Sequence, residues 1–283
     1  MKVVFLRHNV CASDNPKAER FLLTDDFTTP LSLFFNSMAS AAGALFPMIP
    51  WLEDDTPFPP LNSAMLDPNG LLCAGGKLSP QRIVEAYQGG IFPWFSEDDP
   101  VLWWSPDPRM VLFPAEFKIS RSLRRTLRTG RYEVRLDSAF AAVINACAEV
   151  PRAGQGGGTW ITLEMQRAYQ QLFEMGVAHS VETWRDGRLV GGLYGLSIGR
   201  MFYGESMFAH ITDASKIAAA HLGRFLEQQG FGMIDCQMNT RHLASLGARE
   251  VPRAHFIRQL KVLTAVESPA AGWSIGGASQ PWS

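Results

Sequence analysis

The sequence is short of cysteine. Only four occur in 283 residues, at 11, 73, 147 and 236, and no two form a C-x-x-C pair. That argues against a zinc ribbon or a redox dithiol and fits reduced thiols in a cytoplasmic protein. An excess of one charge is missing too. With 26 Lys and Arg against 27 Asp and Glu, the overall balance points to no polyanionic partner, although local charge still can. His179, His210, His221, His242 and His255 show no metal-ligand spacing, so no metal is expected. There is no internal repeat. A secretory leader is not expected, because Asp14, Glu19, Asp25 and Asp26 interrupt the first residues. The apolar stretch "LSLFFNSMASAAGALFPMIPW" carries Ser and Asn and ends in prolines. A membrane span needs about 20 strongly apolar residues, so no membrane association is expected.

What is present suffices for one large domain or two smaller ones, since 46% of the residues are hydrophobic. Residues 1–45 lack periodicity and read as an extension. Residues 46–105 read as a small N-terminal domain. It opens with the prolines at 47, 50, 57, 59, 60 and 68 and holds a helix capped by Ser79, begun by Pro80 and stopped by Gly89. Residues 106–265 read as a second domain and 266–283 as a loose Gly/Ser/Pro-rich tail. In the second domain "SRSLRRTLRTG" predicts a basic helix and "YEVRL" a strand. Asp137 and Thr162 are expected to cap helices. "AHSVETW", "RLVGGLYGLS" and "RMFYGESMF" predict three strands, the first two joined by the Asp186-Gly187 turn. Asp213 is expected to cap a helix that ends at Gly230, followed by the strand "GMIDCQM", a short helix to Gly247 and a last helix from Pro252. The fold class is α+β with a mixed, largely antiparallel sheet, and the element string suits an acyltransferase of the N-acetyltransferase type.

Several motifs compete for the chemistry. "GLSIG" matches G-x-S-x-G, and Asp213 or Asp235 with His242 would complete a hydrolase order. That motif needs a helix after the serine, however, and a strand-like run follows instead. "RAGQGGGTW" lacks a P-loop lysine, and Gln155 stands where a pyrophosphate-binding loop would need glycine, so it reads as a plain loop and counts against coenzyme A. The run from Lys118 to Arg135 is unbalanced: Lys118, Arg121, Arg124, Arg125, Arg128, Arg131 and Arg135 face only Glu133. A solvated helix face and a phosphate-backbone contact remain open for it. Trp94, Trp103, Trp104 and Trp160 are core candidates, but Trp94 and Trp160 lie on loops and could stack a nucleobase. Glu205 and Asp235 sit in apolar company, which makes each either paired or functional. Cys236 catches the eye as a nucleophile. Strand alternation instead turns it away from Asp235 and Gln237 and makes it a small core residue.

Taken together, "GLLCAGGKLSPQRIVEAYQGGIFPWFSEDDPVLWWSPDPRMVL", "GTWIT", "AHSVETWRDGRLVGGLYGLSIGRMFYGESMF", "ASK" and "IDCQ…HLASLGAREVPR" closely resemble the leucyl/phenylalanyl-tRNA–protein transferase family, from about Ile49 to Leu263. The resemblance implies a small N-terminal domain plus an N-acetyltransferase-like domain, working without metal, coenzyme A or other cofactor. It implies transfer of Leu or Phe, and less well Met, from aminoacyl-tRNA to proteins beginning with Arg or Lys, marking them for N-end-rule degradation. By the same resemblance Trp94 and Trp160 bind the terminal adenosine, and Glu205 lies near the substrate α-amino group. Asp235 and Gln237 are catalytic, and Leu193, Phe202, Met207, Ala219 and Leu222 surround the aminoacyl side chain. Ala219 stands where the family often has a larger residue. Lys118, Arg121, Arg124, Arg125 and Arg128 are the candidates for the tRNA backbone, and the chain is expected to act as a monomer.

The reaction forms a peptide bond from an ester and is downhill. An α-amino nucleophile has a pKa of about 7.7–8.0 and needs orientation more than a strong base. A side-chain amide oxygen can accept its hydrogen bond. The expectation is that Gln237 does so while Asp235 accepts from the Gln237 amide group and fixes its direction. A coenzyme A-dependent N-acetyltransferase and a catalytically silent tRNA-binding protein are the rival readings.

Overall fold

The structure is a computed structural model and describes residues 2–3, 49–97, 99–150, 160–268, 273 and 282. Most of the expected 1–45 extension, the glycine-rich loop at 151–159 and most of the 266–283 tail therefore lie outside the described residues.

The strands are β1 (Lys2–Val3), β2 (Trp51–Leu52), β3 (Leu71–Gly75), β4 (Phe92–Pro93), β5 (Leu102–Trp104), β6 (Arg109–Leu112), β7 (Glu133–Leu136), β8 (Ala178–Arg185), β9 (Arg188–Ile198), β10 (Met201–Ala209), β11 (Met233–Gln237) and β12 (Arg249–Val251). The helices are α1 (Pro80–Gln88), α2 (Arg121–Leu127), α3 (Phe140–Glu149), α4 (Leu163–Glu174), α5 (Ala214–Gln228), α6 (Arg241–Ser245) and α7 (Arg253–Thr264). A small sheet runs β2-β3-β5-β4. The large one runs β12-β6-β11-β10-β9-β8-β7, and β1 pairs with β10 off that path. Both sheets are mixed and mostly antiparallel; in the large one β10 and β11 run parallel. The α+β class read from the sequence is what the chain adopts.

Local chemistry explains most boundaries. Ser79 accepts from the Arg82 amide and Pro80 starts α1; Ser120 and Thr162 cap α2 and α4 in the same way. Asp186 and Gly187 both have positive φ, which is the turn that joins β8 to β9. Two expected caps differ. Asp137 does not cap α3, whose N-cap is Ala139; its carboxylate instead binds the His179 ring and the Ser180 amide. Asp213 occupies the N-cap position of α5 in a left-handed conformation, with no side-chain cap bond, and pairs with Lys216. Ser197 lies within strand β9 opposite Phe202, so "GLSIG" forms no nucleophile elbow.

Strand alternation sorts the core. On one face of the large sheet Leu196, Met201, Tyr203, Phe208 and Met233 join α1, α3, α4, α7 and the small sheet in one cluster. On the other, Leu193, Phe202, Met207, Ile234 and Cys236 pack against α5 and α6. No described helix is long and apolar enough to cross a membrane.

Candidate active site

The site begins where β10 and β11 part. Their ladder runs Met201–Met233, Phe202–Ile234, Tyr203–Asp235 and stops there, although both strands continue. Just past that point each carries an irregularity. On β10 the register against β9 shifts between Gly204 and Ser206, leaving Glu205 unopposed. On β11 the register against β6 shifts between Asp235 and Gln237, leaving Cys236 unopposed, and Gln237 takes a left-handed φ of 63°. Such bulges re-aim side chains. Here they bring Glu205 and Gln237 together: Gln237 Nε2 donates to Glu205 Oε1 at 3.0 Å.

Glu205 is 1% exposed. Its Oε1 accepts from the Tyr87 hydroxyl at 2.6 Å, and its Oε2 bonds to the Tyr169 hydroxyl at 3.0 Å. The two hydroxyls are themselves 2.9 Å apart. Burial pushes the Glu205 carboxyl above the usual range, opposed by the bonds from Tyr87 and Tyr169. Burial likewise pushes both phenols well above theirs, so they stay protonated. Tyr203 anchors Tyr87 by bonding to its carbonyl at 3.1 Å. The adjacent Ser206 hydroxyl is buried with no hydrogen-bond partner among the described residues.

Asp235 has a different task from the expected one. Arg109 holds it in a bidentate pair, Nε to Oδ1 at 2.8 Å and Nη2 to Oδ2 at 2.6 Å, with both side chains almost wholly buried. Oδ1 also accepts the Gln237 backbone amide at 2.9 Å. The Arg109 guanidinium lies 4.7 Å from the ring centres of Phe92 and Phe256 and donates to the Gly90 carbonyl. Asp235 thus fixes the backbone of Gln237, and Glu205 rather than Asp235 fixes its amide. Asp235 is occupied instead by the bidentate guanidinium and the Gln237 backbone amide. Cys236 points into the opposite layer with Ile234, and burial pushes its thiol up to about 12, which makes it a poor nucleophile.

The other sequence-derived residues fall into three places. Leu193, Phe202, Met207, Ala219 and Leu222 do come together, at 0–3% exposure, in the layer beneath α5. That layer lies across the sheet from Tyr87 and Tyr169. Lys118, Arg121, Arg124, Arg125 and Arg128 are all exposed on and around α2, and Arg128 donates to the Trp282 carbonyl. Trp94 is half-buried against Trp104, whose indole donates to its carbonyl. Trp160 is 3% exposed and belongs to the core; as it stands, it offers no open face to a base. A cleft of about 410 Å³ separates the loop after Trp94 from the start of α4 and is lined in part by Lys77, Glu97, Asp99 and Glu164.

Sequence reasoning missed Arg109, Tyr87 and Tyr169. A lone arginine inside the apolar run "RMVL" was a usable signal, of the same kind as Glu205 within "MFYGESMF". The tyrosines were not legible, because at helical spacing from Ile83 and Met165 they read as core. Among the described residues no three His, Cys, Asp or Glu side chains gather as metal ligands would.

Comparison with known proteins adds to this geometry. Residues 111–261 match the family model described as leucyl/phenylalanyl-tRNA protein transferase, and residues 76–107 match the model of its N-terminal domain. A leucyl/phenylalanyl-tRNA–protein transferase of Nitrosospira multiformis is 60% identical over 226 residues, covering 80% of this chain and 97% of that one. One from Azoarcus is 59% identical over 227 residues, covering 80% and 96%. Among solved structures, a ribosomal-protein-alanine N-acetyltransferase of Brucella melitensis aligns with 53% of this chain and 99% of its own at 13% identity and a TM-score of 0.29, too distant to carry an argument.

Proposed function

The chain belongs to the leucyl/phenylalanyl-tRNA–protein transferase family, a family of aminoacyltransferases, and on that premise we propose that it moves Leu or Phe, and less well Met, from aminoacyl-tRNA to the N-terminal Arg or Lys of acceptor proteins, marking them for N-end-rule degradation. The observation that carries the chemical part of this reading is the Glu205–Gln237 contact across the parted strands. With its amide nitrogen turned to Glu205, Gln237 presents its amide oxygen away from that carboxyl. There it accepts a hydrogen bond from the attacking amine and orients it on the ester. The ester carbon passes from oxygen to nitrogen, the amine loses a proton, and the ribose 3′-oxygen gains one through the neighbouring 2′-hydroxyl or water. Glu205 is the carboxyl group near the substrate α-amino group.

The layer of Leu193, Phe202, Met207, Ala219 and Leu222 supports selection of large apolar side chains by burial, which separates neighbouring sizes by only about 1–3 kcal/mol per methylene. Half-buried Trp94 supports stacking of the terminal adenosine. The exposed cations of α2 support backbone contact with tRNA.

The test is to incubate the protein with radiolabelled Leu-tRNA and an acceptor bearing N-terminal Arg, with and without acetyl-coenzyme A. Label is expected in the acceptor without coenzyme A. No label transfer, together with acetylation when acetyl-coenzyme A is present, would sink the reading in favour of an N-acetyltransferase.

A further inference from the structure

Three oxygens meet at Glu205, and their protons can be counted. Tyr87 Oη lies 2.6 Å from Glu205 Oε1, Tyr169 Oη lies 3.0 Å from Oε2, and the two phenol oxygens lie 2.9 Å from each other. All three separations are hydrogen-bond lengths, and each needs one proton between its oxygens. The phenols supply one proton each. If Glu205 is ionised, two protons must serve three contacts. Should both phenols donate to the carboxylate, the 2.9 Å phenol–phenol contact sets lone pair against lone pair. Should one phenol donate to the other, a bare phenol oxygen faces a carboxylate oxygen instead. With Glu205, Tyr87 and Tyr169 all buried, either arrangement is costly.

We infer that Glu205 is a neutral carboxylic acid in the resting protein, and that Tyr87 and Tyr169 are positioning residues that hold its proton in a closed ring of three hydrogen bonds. The carboxyl proton is the missing third, and the ring closes in either sense. Gln237 adds a fourth, independent donor, because its Nε2 reaches Oε1.

The surroundings agree. Tyr87 faces Glu205 from α1, Tyr169 from α4, and Gln237 and Asp235 from β11. The Arg109 guanidinium that enters this layer is taken up by both oxygens of Asp235. Asp235 adds to the burial that raises the Glu205 carboxyl, while the charge of the chain's amino terminus and the bonds from the two phenols act the other way and leave the net shift upward. Tyr203 directs its hydroxyl to the Tyr87 carbonyl rather than to the carboxyl. Among the described residues, the partners hydrogen-bonded to Glu205 are therefore two phenols and an amide, none of them a cation.

The consequence for transfer rests on the reading above, whereas the protonation does not. A neutral acid accepts through its carbonyl oxygen without forming an ion pair, so an uncharged substrate amine suits it and an ammonium does not. Loss of the ring proton at alkaline pH would put a charge beside the substrate α-amino group and break the ring, while the Gln237 amide, now donating to a carboxylate, would be held more firmly.

The test is isotope-edited infrared spectroscopy of the substrate-free full chain labelled at its glutamate carboxyls. At neutral pH a protonated-carboxyl band is expected in the wild type, lost in Glu205→Gln. Tyr169→Phe and Tyr87→Phe should each move its titration down by about one pH unit or more, a tenfold change in proton affinity. The alkaline limb of the transfer rate should move by the same amount, while the acid limb, set by the nucleophile, stays in place. Absence of a protonated-carboxyl band at neutral pH overturns the inference. A midpoint that stays in place or moves up in the tyrosine variants, as it would if the phenols did no more than donate to a carboxylate, overturns the role of the ring. Should Glu205→Gln fail to fold, the alkaline titration of the wild-type band and its shift in the two tyrosine variants decide the matter. A band that behaves as expected in a protein that transfers no leucine would leave the ring standing and sink the proposed function.

Discussion

At the scale of single residues, the buried polar groups divide into those that hold geometry and those that face the chemistry. Arg109 and Asp235 hold geometry. Each is fully desolvated and satisfied by the other, so removing one leaves an uncompensated buried charge, typically at a cost of about 3–5 kcal/mol. Asp235→Ala is expected to lower the melting temperature by many degrees as well as abolish transfer. A variant that melts like the wild type but cannot transfer would return Asp235 to a chemical role. Gln237→Ala removes a side chain whose amide is bonded to Glu205. It is expected to cut turnover at least tenfold with tRNA binding unchanged, which a filter-binding titration beside the transfer assay would check. Glu205 carries a stability prediction with a definite sign. Its folded pKa is raised above the ordinary 4.5, so above that pH the unfolded chain releases a proton that the folded one keeps. Stability therefore falls as pH rises from about 4.5 towards the folded pKa. Denaturation of wild type and Glu205→Gln across that range should show the variant gaining relative stability with pH, then levelling off; parallel curves would contradict the shift.

At the scale of elements, what was legible followed chemistry local in sequence. The caps of α1 and α4, the turn between β8 and β9, and the burial of Cys236 all depend on neighbours within a few residues, and all are found. The short strands β6 and β12 carry too few residues for a period to show, so they went unread. The Asp137 cap failed for a related reason: a partner far along the chain, His179, outbids the local helix for the carboxylate. The orientation of Gln237 was beyond sequence reach as well, because two bulges set it. The ladder between β9 and β10 offers a sharper test. A Cβ at Gly195 would lie 2.1 Å from the Tyr203 carbonyl oxygen and within 2.7 Å of the Phe202 ring, so backbone would have to move. Gly195→Ala is expected to destabilise the fold by more than the roughly 1 kcal/mol typical of a point substitution, measurable by urea denaturation. On α2, exchanging Arg121, Arg124 and Arg125 for Gln is expected to weaken tRNA binding and flatten its dependence on salt, since each phosphate no longer neutralised by a cation reduces the slope by about 1. An unchanged slope would remove α2 from the tRNA path.

At the scale of the whole molecule, one cluster of buried side chains runs from Leu52 and Trp103 in the small sheet through α1, α3 and α4 to Tyr203 and Phe208 in the large one. The family models divide the chain near residues 107–111, yet the apolar core does not divide there. Thermal unfolding is therefore expected as one transition by both far-ultraviolet dichroism and tryptophan fluorescence, with no separate melting of residues 46–105; two resolved transitions would show that the shared core is energetically minor.

The Glu205 cluster also bridges the two family matches. One of its phenols, on Tyr87, stands on a helix that falls in the N-terminal family match, while the other phenol, the carboxyl and the amide all come from the second match. Neither piece carries the complete constellation. A graft that joins the first piece of one relative to the second piece of another has to conserve a single 2.6 Å contact across the seam, from Tyr87 to Glu205. Without the first piece, the second would lose both its share of the common core and one phenol of the cluster.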